Sequence, residues 1–370
     1  MKNSCNFIGF VTDKPLSDVR TWSGTYFHLN NFIKEIGFNT KEILVKENSL
    51  LRYLRLFLKK VFSYESSTLY KIWRLKVRTK VKKALKEGIT YFFVPSGSKL
   101  ISKFSFPESC KVIYLTDATI TIMRNYYWIM TNHSFNVLNH CESIAAKRSN
   151  AIIVSSEWAK QSFLVDYKVN QQKLFILKFP AYLKDEYIPK TYEKNSLILL
   201  FVGVERERKG LDIAIEAFKY LKKFLPDYKL RLNVVGLKNT KNINVDGVFF
   251  YGRLDKKNSK DLSTLISLYN KASLFILPTR AECSAIVFSE ASMYGLPIFT
   301  TDTGGISSYV KNDTNGYRLS LKCNGLDFSN KIVENINNLQ KLSANSRKFY
   351  EENLSSSIWK TEFINVINNI

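Results

Sequence analysis

Cysteine, histidine and long apolar runs are all scarce in this chain, and each scarcity removes a class of protein. The five cysteines (Cys5, Cys110, Cys141, Cys283, Cys323) have no C-x-x-C spacing, which argues against a disulfide framework or a structural zinc site. The three histidines (His28, His133, His140) are too dispersed for a histidine-built metal centre, and no Asp-x-Asp pair occurs, so no metal and no resident cofactor is expected. No stretch approaches the roughly 18 apolar residues of a membrane-spanning helix. The N-terminal MKNSCNFIGFVTDK lacks the apolar run of a signal peptide, and the expected location is cytoplasmic.

What the chain has in excess is positive charge. Its 370 residues carry 55 Lys/Arg against 32 Asp/Glu, a formal +23. Residues 1–150 hold 24 basic and 10 acidic side chains, so +14 of the excess falls there, and that half is expected to meet an anionic partner. A hydrophobic fraction of 45% over this length supports two ordinary cores better than one very large one.

Short apolar runs alternate with longer amphipathic segments, the pattern of parallel strands joined by helices, so the fold class is α/β. Strands are predicted at 6–12, 89–94, 111–115, 151–155 and 174–178, then at 197–202, 230–235, 248–251, 273–277 and 297–300. Between the two series, FPAYLKDEYIPKTYEKNS has two prolines and mixed charge, and reads as a linker crossing a surface. The expected domains are 1–185 and 186–345, with helices at about 346–370 packing back on the first.

Chemistry concentrates in SLFILPTRAECSAIVFSEASMYGLPIFTTDTGG. A strand ends at Pro278, a polar loop carries Glu282, and a helix begins near Ala285 and carries Glu290. Even a continuous helix would turn the second carboxylate only about 80° from the first, so both can face one pocket. The start of that helix suits a diphosphate at the carboxyl edge of a parallel sheet, and Glu290 can accept hydrogen bonds from ribose hydroxyls. Gly304 and Gly305 form either a second cradle or a plain turn. In FVGVERERKGLDIAIEAF, Gly203 ends a strand, and Arg208 and Lys209 stand where cations clamp phosphate oxygens, or simply in a solvated loop.

With those residues in place, the chain resembles the family 4 retaining glycosyltransferases of the GT-B fold over nearly its whole length. The marker is the glutamate pair separated by seven residues, Glu282 and Glu290, followed by YGLPIFTTDTGG. The resemblance implies two Rossmann-like parallel-sheet domains facing across a cleft. It assigns ribose binding to Glu290, the donor sugar to Glu282 and the diphosphate to Arg208 and Lys209. Backbone contacts to phosphate and sugar fall to Cys283, Ser284, Ala285 and Ile286, where many relatives have Gly-Phe-Gly. In the first half, TWSGTYFHL resembles the family's glycine-containing loop, with Ser23, Gly24 and Thr25 facing the cleft. In YLTDATITIM, Asp117 stands near the position of a family histidine, as a catalytic group or as a helix N-cap.

The activity so implied is transfer, with retention and without metal, of a sugar from a nucleotide-sugar donor to a saccharide or lipid-linked acceptor in surface polysaccharide or lipopolysaccharide assembly. A catalytically inactive GT-B scaffold that binds a membrane or polyanion is the alternative. Between Leu51 and Lys86 lie twelve Lys/Arg and one acidic residue, either a basic amphipathic segment on an anionic membrane or a solvated helical face. Nucleic acid is not expected, since no helix-turn-helix, RNP-like strand or zinc module is present.

Overall fold

A computed structural model describes residues 7–46, 53, 67–238 and 244–370. It divides into two compact units, Met1–Leu177 with Lys360–Ile370, and Lys178–Trp359. The first unit runs β1 (Phe7–Thr12), α1 (Thr25–Glu35), β2 (Asn39–Leu44), α2 (Ser67–Lys86), β3 (Tyr91–Pro95), α3 (Ser98–Ser102), β4 (Lys111–Thr116), α4 (Ile120–Met123), α5 (Asn132–Arg148), β5 (Ala151–Val154), α6 (Glu157–Val165) and β6 (Leu174–Ile176). All its strand pairs are parallel, in the order β2-β1-β3-β4-β5-β6. The order reverses between β1 and β3, and the crevice at the carboxyl ends of those strands is where such sheets take ligands.

The second unit runs β7 (Ser196–Val202), α7 (Leu211–Phe224), β8 (Lys229–Val235), β9 (Val248–Gly252), α8 (Ser259–Lys271), β10 (Leu274–Leu277), α9 (Ile286–Met293), β11 (Ile298–Thr301), β12 (Gly316–Leu319), α10 (Gly325–Glu334) and α11 (Leu339–Asn353). Its sheet, again parallel, has the order β12-β11-β10-β7-β8-β9. Counted from β7, that is the doubly wound order of dinucleotide-binding folds, with the switch point between β7 and β10. Strands such as AIIV and LFIL are buried at every residue, because helices cover both faces of a parallel sheet.

The ten strands expected from sequence are present, with ends shifted by a residue or two. Two more, β2 and β12, lie at sheet edges. They escaped the pattern because neither is a continuous apolar run: NTKEIL opens with four polar residues and has one buried position, and GYRL is four residues long and carries Arg318.

The 179–196 segment is not a free surface linker. Phe179, Ala181 and Tyr182 are buried, Ser289 donates to the Phe179 carbonyl at 2.7 Å, and Lys190 donates to the carbonyls of Tyr269 and Asn270, both at 2.6 Å. Arg347 grips Asp185 with two nitrogens at 2.7 and 2.9 Å. Buried aromatic anchors and satisfied backbone groups fasten this irregular stretch to the second unit.

The last helix, α12 (Ser356–Asn368), begins among residues of the second unit and continues into the first. There Phe363 packs edge-on against Phe93 at 5.6 Å, and Lys360 pairs with Glu35 at 3.0 Å.

Among the described residues, the first core also holds one buried acid. Glu142 on α5 is buried and accepts the Tyr114 hydroxyl at 2.7 Å. Burial pushes its carboxyl up to about 7. The folded unit therefore keeps a proton that the unfolded chain loses near 4.5, and stability falls as pH rises from about 4.5 to about 7. Glu142→Gln, which keeps the acceptor for Tyr114, should raise stability at pH 8 by on the order of 2–3 kcal/mol and do little at pH 4.5. Thermal melts across that range check this, and a pH-independent difference contradicts it.

Candidate functional site

The connection after β7 and the connection after β10 flank the switch point of the second sheet, and they are tied to each other. The Lys209 ammonium donates to Glu282 Oε2, with the two side chains only 11% and 7% exposed. Arg208 donates through Nε and Nη2 to Glu205 at 2.6 and 2.9 Å and through Nη1 to the Ala281 carbonyl at 2.9 Å, with Nη1 3.7 Å from Glu282 Oε2. Arg208 holds the Glu205 carboxyl below its ordinary range. The backbone joins in: the Arg280 amide donates to the Arg208 carbonyl at 2.7 Å. A cluster of two cations and two carboxylates thus sits at the sheet's carboxyl edge.

Glycines make this approach possible. Gly203 follows β7, and a Cβ there would stand 3.0 Å from Cγ of Lys209, so the missing side chain makes room for the lysine stem. Gly210 has φ +70°, and a Cβ would meet the Pro278 carbonyl oxygen at 2.0 Å. No L side chain fits that contact, and the left-handed backbone is costly for any other residue. Gly210 precedes α7, whose first turn is anchored by Asp212 accepting two nitrogens of Arg280 at 3.0 and 2.6 Å.

Helix α9 starts at Ile286, with Ala285 at its N-cap and therefore no side-chain cap. Cys283 and Ala285 are buried, while Ser284 and Ile286 are partly exposed. Glu290, one turn on, is buried, accepting the Tyr269 hydroxyl on Oε2 at 3.2 Å and the Lys256 ammonium on Oε1. Burial, then the Glu290 charge, raises the Tyr269 hydroxyl well above its ordinary range. The Gly304–Gly305 pair forms a 3₁₀ turn whose Gly305 amide donates to the Glu282 carbonyl at 3.2 Å, which favours the turn reading over a ligand cradle.

In the first unit, the loop after β1 carries three successive left-handed residues: Trp22 (φ +47°), Ser23 (φ +57°) and Gly24 (φ +86°). Left-handed non-glycine residues persist only where surrounding contacts enforce them, and they cluster at functional sites. Two hydrogen bonds are among the contacts that hold the loop. The fully buried Thr25 donates its hydroxyl to the Trp22 carbonyl at 2.6 Å, and the Trp22 indole donates to Asp117 Oδ2 at 3.3 Å. Asp117 is not a helix cap: that task falls to Thr119, which accepts from the Ile122 amide at the start of α4. Ser23, Gly24 and Asp117 are therefore gathered at one edge of the first sheet, while Thr25 holds the loop from beneath.

Most of the basic 51–66 stretch lies outside the described residues. In α2, Val77, Val81 and Ala84 are buried at helical spacing, and Lys76, Arg78, Lys80, Lys82, Lys83 and Lys86 are exposed. The apolar stripe of this part already faces protein, so its remaining capacity is electrostatic rather than insertion into lipid. No helix among the described residues is long and apolar enough to cross a membrane.

Sequence reasoning missed Trp22, Glu205, Tyr269 and Lys256. No local signal could have found Lys256: it follows β9, the outermost strand of its sheet, and only the folded chain brings it to Glu290.

Comparison with known proteins bears on the second unit and on the fold. Residues 184–350, a stretch within the second unit, match the family model described as glycosyl transferases group 1. The capsular polysaccharide biosynthesis glycosyltransferase CapM of Staphylococcus aureus is 26% identical over 239 residues, 60% of this chain and 62% of its own. The lipopolysaccharide glucosyltransferase WaaG of Escherichia coli (strain K12) is 29% identical over 184 residues, 44% of this chain and 46% of its own. The chain thus matches less than two thirds of the length of these curated relatives. The crystal structure of a glycosyltransferase from Rickettsia africae ESF-5 covers 98% of both chains with a TM-score of 0.69 at 17% identity. The fold is that of the GT-B glycosyltransferases.

The β7–β10 junction yields a direct test. Gly210→Ala should destabilise the second unit by on the order of 3 kcal/mol or abolish its folding, because the Pro278 carbonyl cannot retreat without moving the end of β10. Urea unfolding checks this, and a change below about 0.5 kcal/mol contradicts the close approach.

Proposed function

We propose that the chain is a family 4 retaining glycosyltransferase that moves a sugar from a nucleotide-sugar donor to a saccharide or lipid-linked acceptor in capsular polysaccharide or lipopolysaccharide assembly. The observation that carries this reading is the cation–carboxylate cluster at the β7–β10 switch point, where Arg208 and Lys209 meet Glu282 beside the start of α9.

Sugar transfer needs a stabilised diphosphate leaving group and protection of an oxocarbenium-like centre from water. Arg208 and Lys209 supply cations, and the start of α9 supplies backbone dipoles, so charge developing on the departing diphosphate meets groups already in place. Glu282, held by Lys209, orients the donor sugar, and Glu290 takes the ribose. The bond between the anomeric carbon and the phosphate oxygen breaks, and the acceptor oxygen bonds to that carbon on the same face. Its proton passes to the departing phosphate. In the first unit, the Trp22–Ser23–Gly24 loop and Asp117 orient the acceptor. This chemistry runs on the chain's own charges, without metal.

The relatives named for capsular polysaccharide and lipopolysaccharide synthesis support an acceptor of that kind. Such work belongs at the inner face of the cytoplasmic membrane, where the exposed cations of α2 fit anionic headgroups at roughly 1 kcal/mol each.

Lys209→Met should lower kcat for transfer by about 10²–10³-fold while melting confirms a folded protein, and Glu290→Gln should act mainly on donor KM. Full transferase activity in both variants places the donor elsewhere. Flotation with phosphatidylserine-containing vesicles should weaken when Lys76, Lys80 and Lys83 are changed to glutamate, and unchanged flotation removes α2 from membrane contact.

A further inference from the structure

We propose that Lys256 is a built-in competitor for the ribose position: its ammonium fills the place on Glu290 that a nucleotide's diol must take, so Lys256 sets the affinity of the second unit for nucleoside diphosphates. This rests on the reading of Glu290 as the ribose acceptor given above.

The two partners of Glu290 differ in one respect. Tyr269 lies on α8, fully buried, with its ring stacked on Tyr294 at 5.2 Å, and cannot leave Oε2 without opening the core. Lys256 reaches Oε1 from the connection between β9 and α8 and keeps 38% of its side-chain exposure, against 1% for Glu290. Only the lysine can withdraw into water.

The backbone around Lys256 stays fixed when it does. The Asp255 amide donates to Asp261 at 2.9 Å, the Lys257 amide donates to Asp255 at 3.0 Å, and Asn258 caps α8 by accepting from the amides of Lys260 and Asp261. Lys256 is therefore a mobile side chain on an anchored loop, placed where it covers a buried carboxylate.

A ribose offers two hydroxyl donors side by side. With Tyr269 on Oε2, the diol needs Oε1, and the ammonium holds that oxygen through a charge-assisted hydrogen bond, stronger than a neutral one. Entry of the ribose exchanges cation for diol. The empty pocket meanwhile avoids an unpaired buried carboxylate, which is destabilising. Removing the ammonium should weaken the empty state and thereby tighten nucleotide binding.

The test is isothermal titration of the full chain with UDP, GDP, ADP and inorganic pyrophosphate, comparing wild type with Lys256→Met and Lys256→Arg. Pyrophosphate is the control, since it has no sugar to reach Glu290. Lys256→Met should bind at least one of the three nucleotides about tenfold more tightly than wild type, leave pyrophosphate affinity unchanged, and show a larger nucleotide-induced rise in melting temperature. Lys256→Arg, which keeps a cation on Glu290, should behave as wild type. If Lys256→Met does not fold, Lys256→Gln, a neutral and weaker donor, should show the same shift in smaller measure. Nucleotide binding that is unchanged or weaker in the neutral variants, or a gain shared by pyrophosphate, overturns the competition while leaving the donor site standing. Absence of nucleotide binding in wild type and all variants overturns both.

Discussion

A buried ion pair between neighbouring connections organises the second unit. Lys209 follows β7 and Glu282 follows β10, and their contact closes the point at which the sheet's strand order reverses. Neither charge is well hydrated, so each depends on the other, and losing either partner leaves an uncompensated charge in a poorly solvated place. That dependence fixes the two connections more firmly than their irregular backbone would suggest. It also keeps positive charge close to the start of α9, where an anion is favoured.

The surrounding residues read as consequences of that contact. Gly203 vacates the volume that the lysine stem occupies, and Gly210 lets the turn into α7 press on the Pro278 carbonyl. Glu205 holds the neighbouring guanidinium, and the Gly305 amide holds the Glu282 backbone from the far side. The first unit solves a similar problem differently. The loop after β1 is kept in an unfavourable backbone conformation by the Thr25 hydroxyl and by the indole–carboxylate contact with Asp117. In both units the polar groups stand at the carboxyl ends of parallel strands, on loops held by rigid elements.

Much of this was legible in the sequence, for a physical reason. Strands covered on both faces are continuous apolar runs, so AIIV, LFIL and SLILLFV announce themselves, and their alternation with amphipathic helices such as LDIAIEAFKYLKKF points to parallel sheets. Edge strands such as NTKEIL carry no such signal. The glutamate spacing and the Arg-Lys pair drew attention, through a family resemblance, to residues that the fold gathers at the β7–β10 junction. What each group touches was not readable, because the partners come from far along the chain: Asp117 meets Trp22 across 95 residues, and Glu290 meets Lys256 across 34. The 179–196 stretch misled because proline and mixed charge signal irregular backbone, and irregular backbone can still be fastened by buried aromatics such as Phe179 and Tyr182.

Everything proposed for this chain depends on the β7–β10 junction seizing the diphosphate of an activated sugar. A crystal structure of the full chain grown with UDP, GDP or ADP tests it most directly. Diphosphate oxygens are expected within hydrogen-bond distance of Arg208, Lys209 and the first amides of α9, with the ribose against Glu290. A nucleotide bound away from these residues, with the Lys209–Glu282 pair undisturbed and its surroundings closed to the ligand, would contradict it.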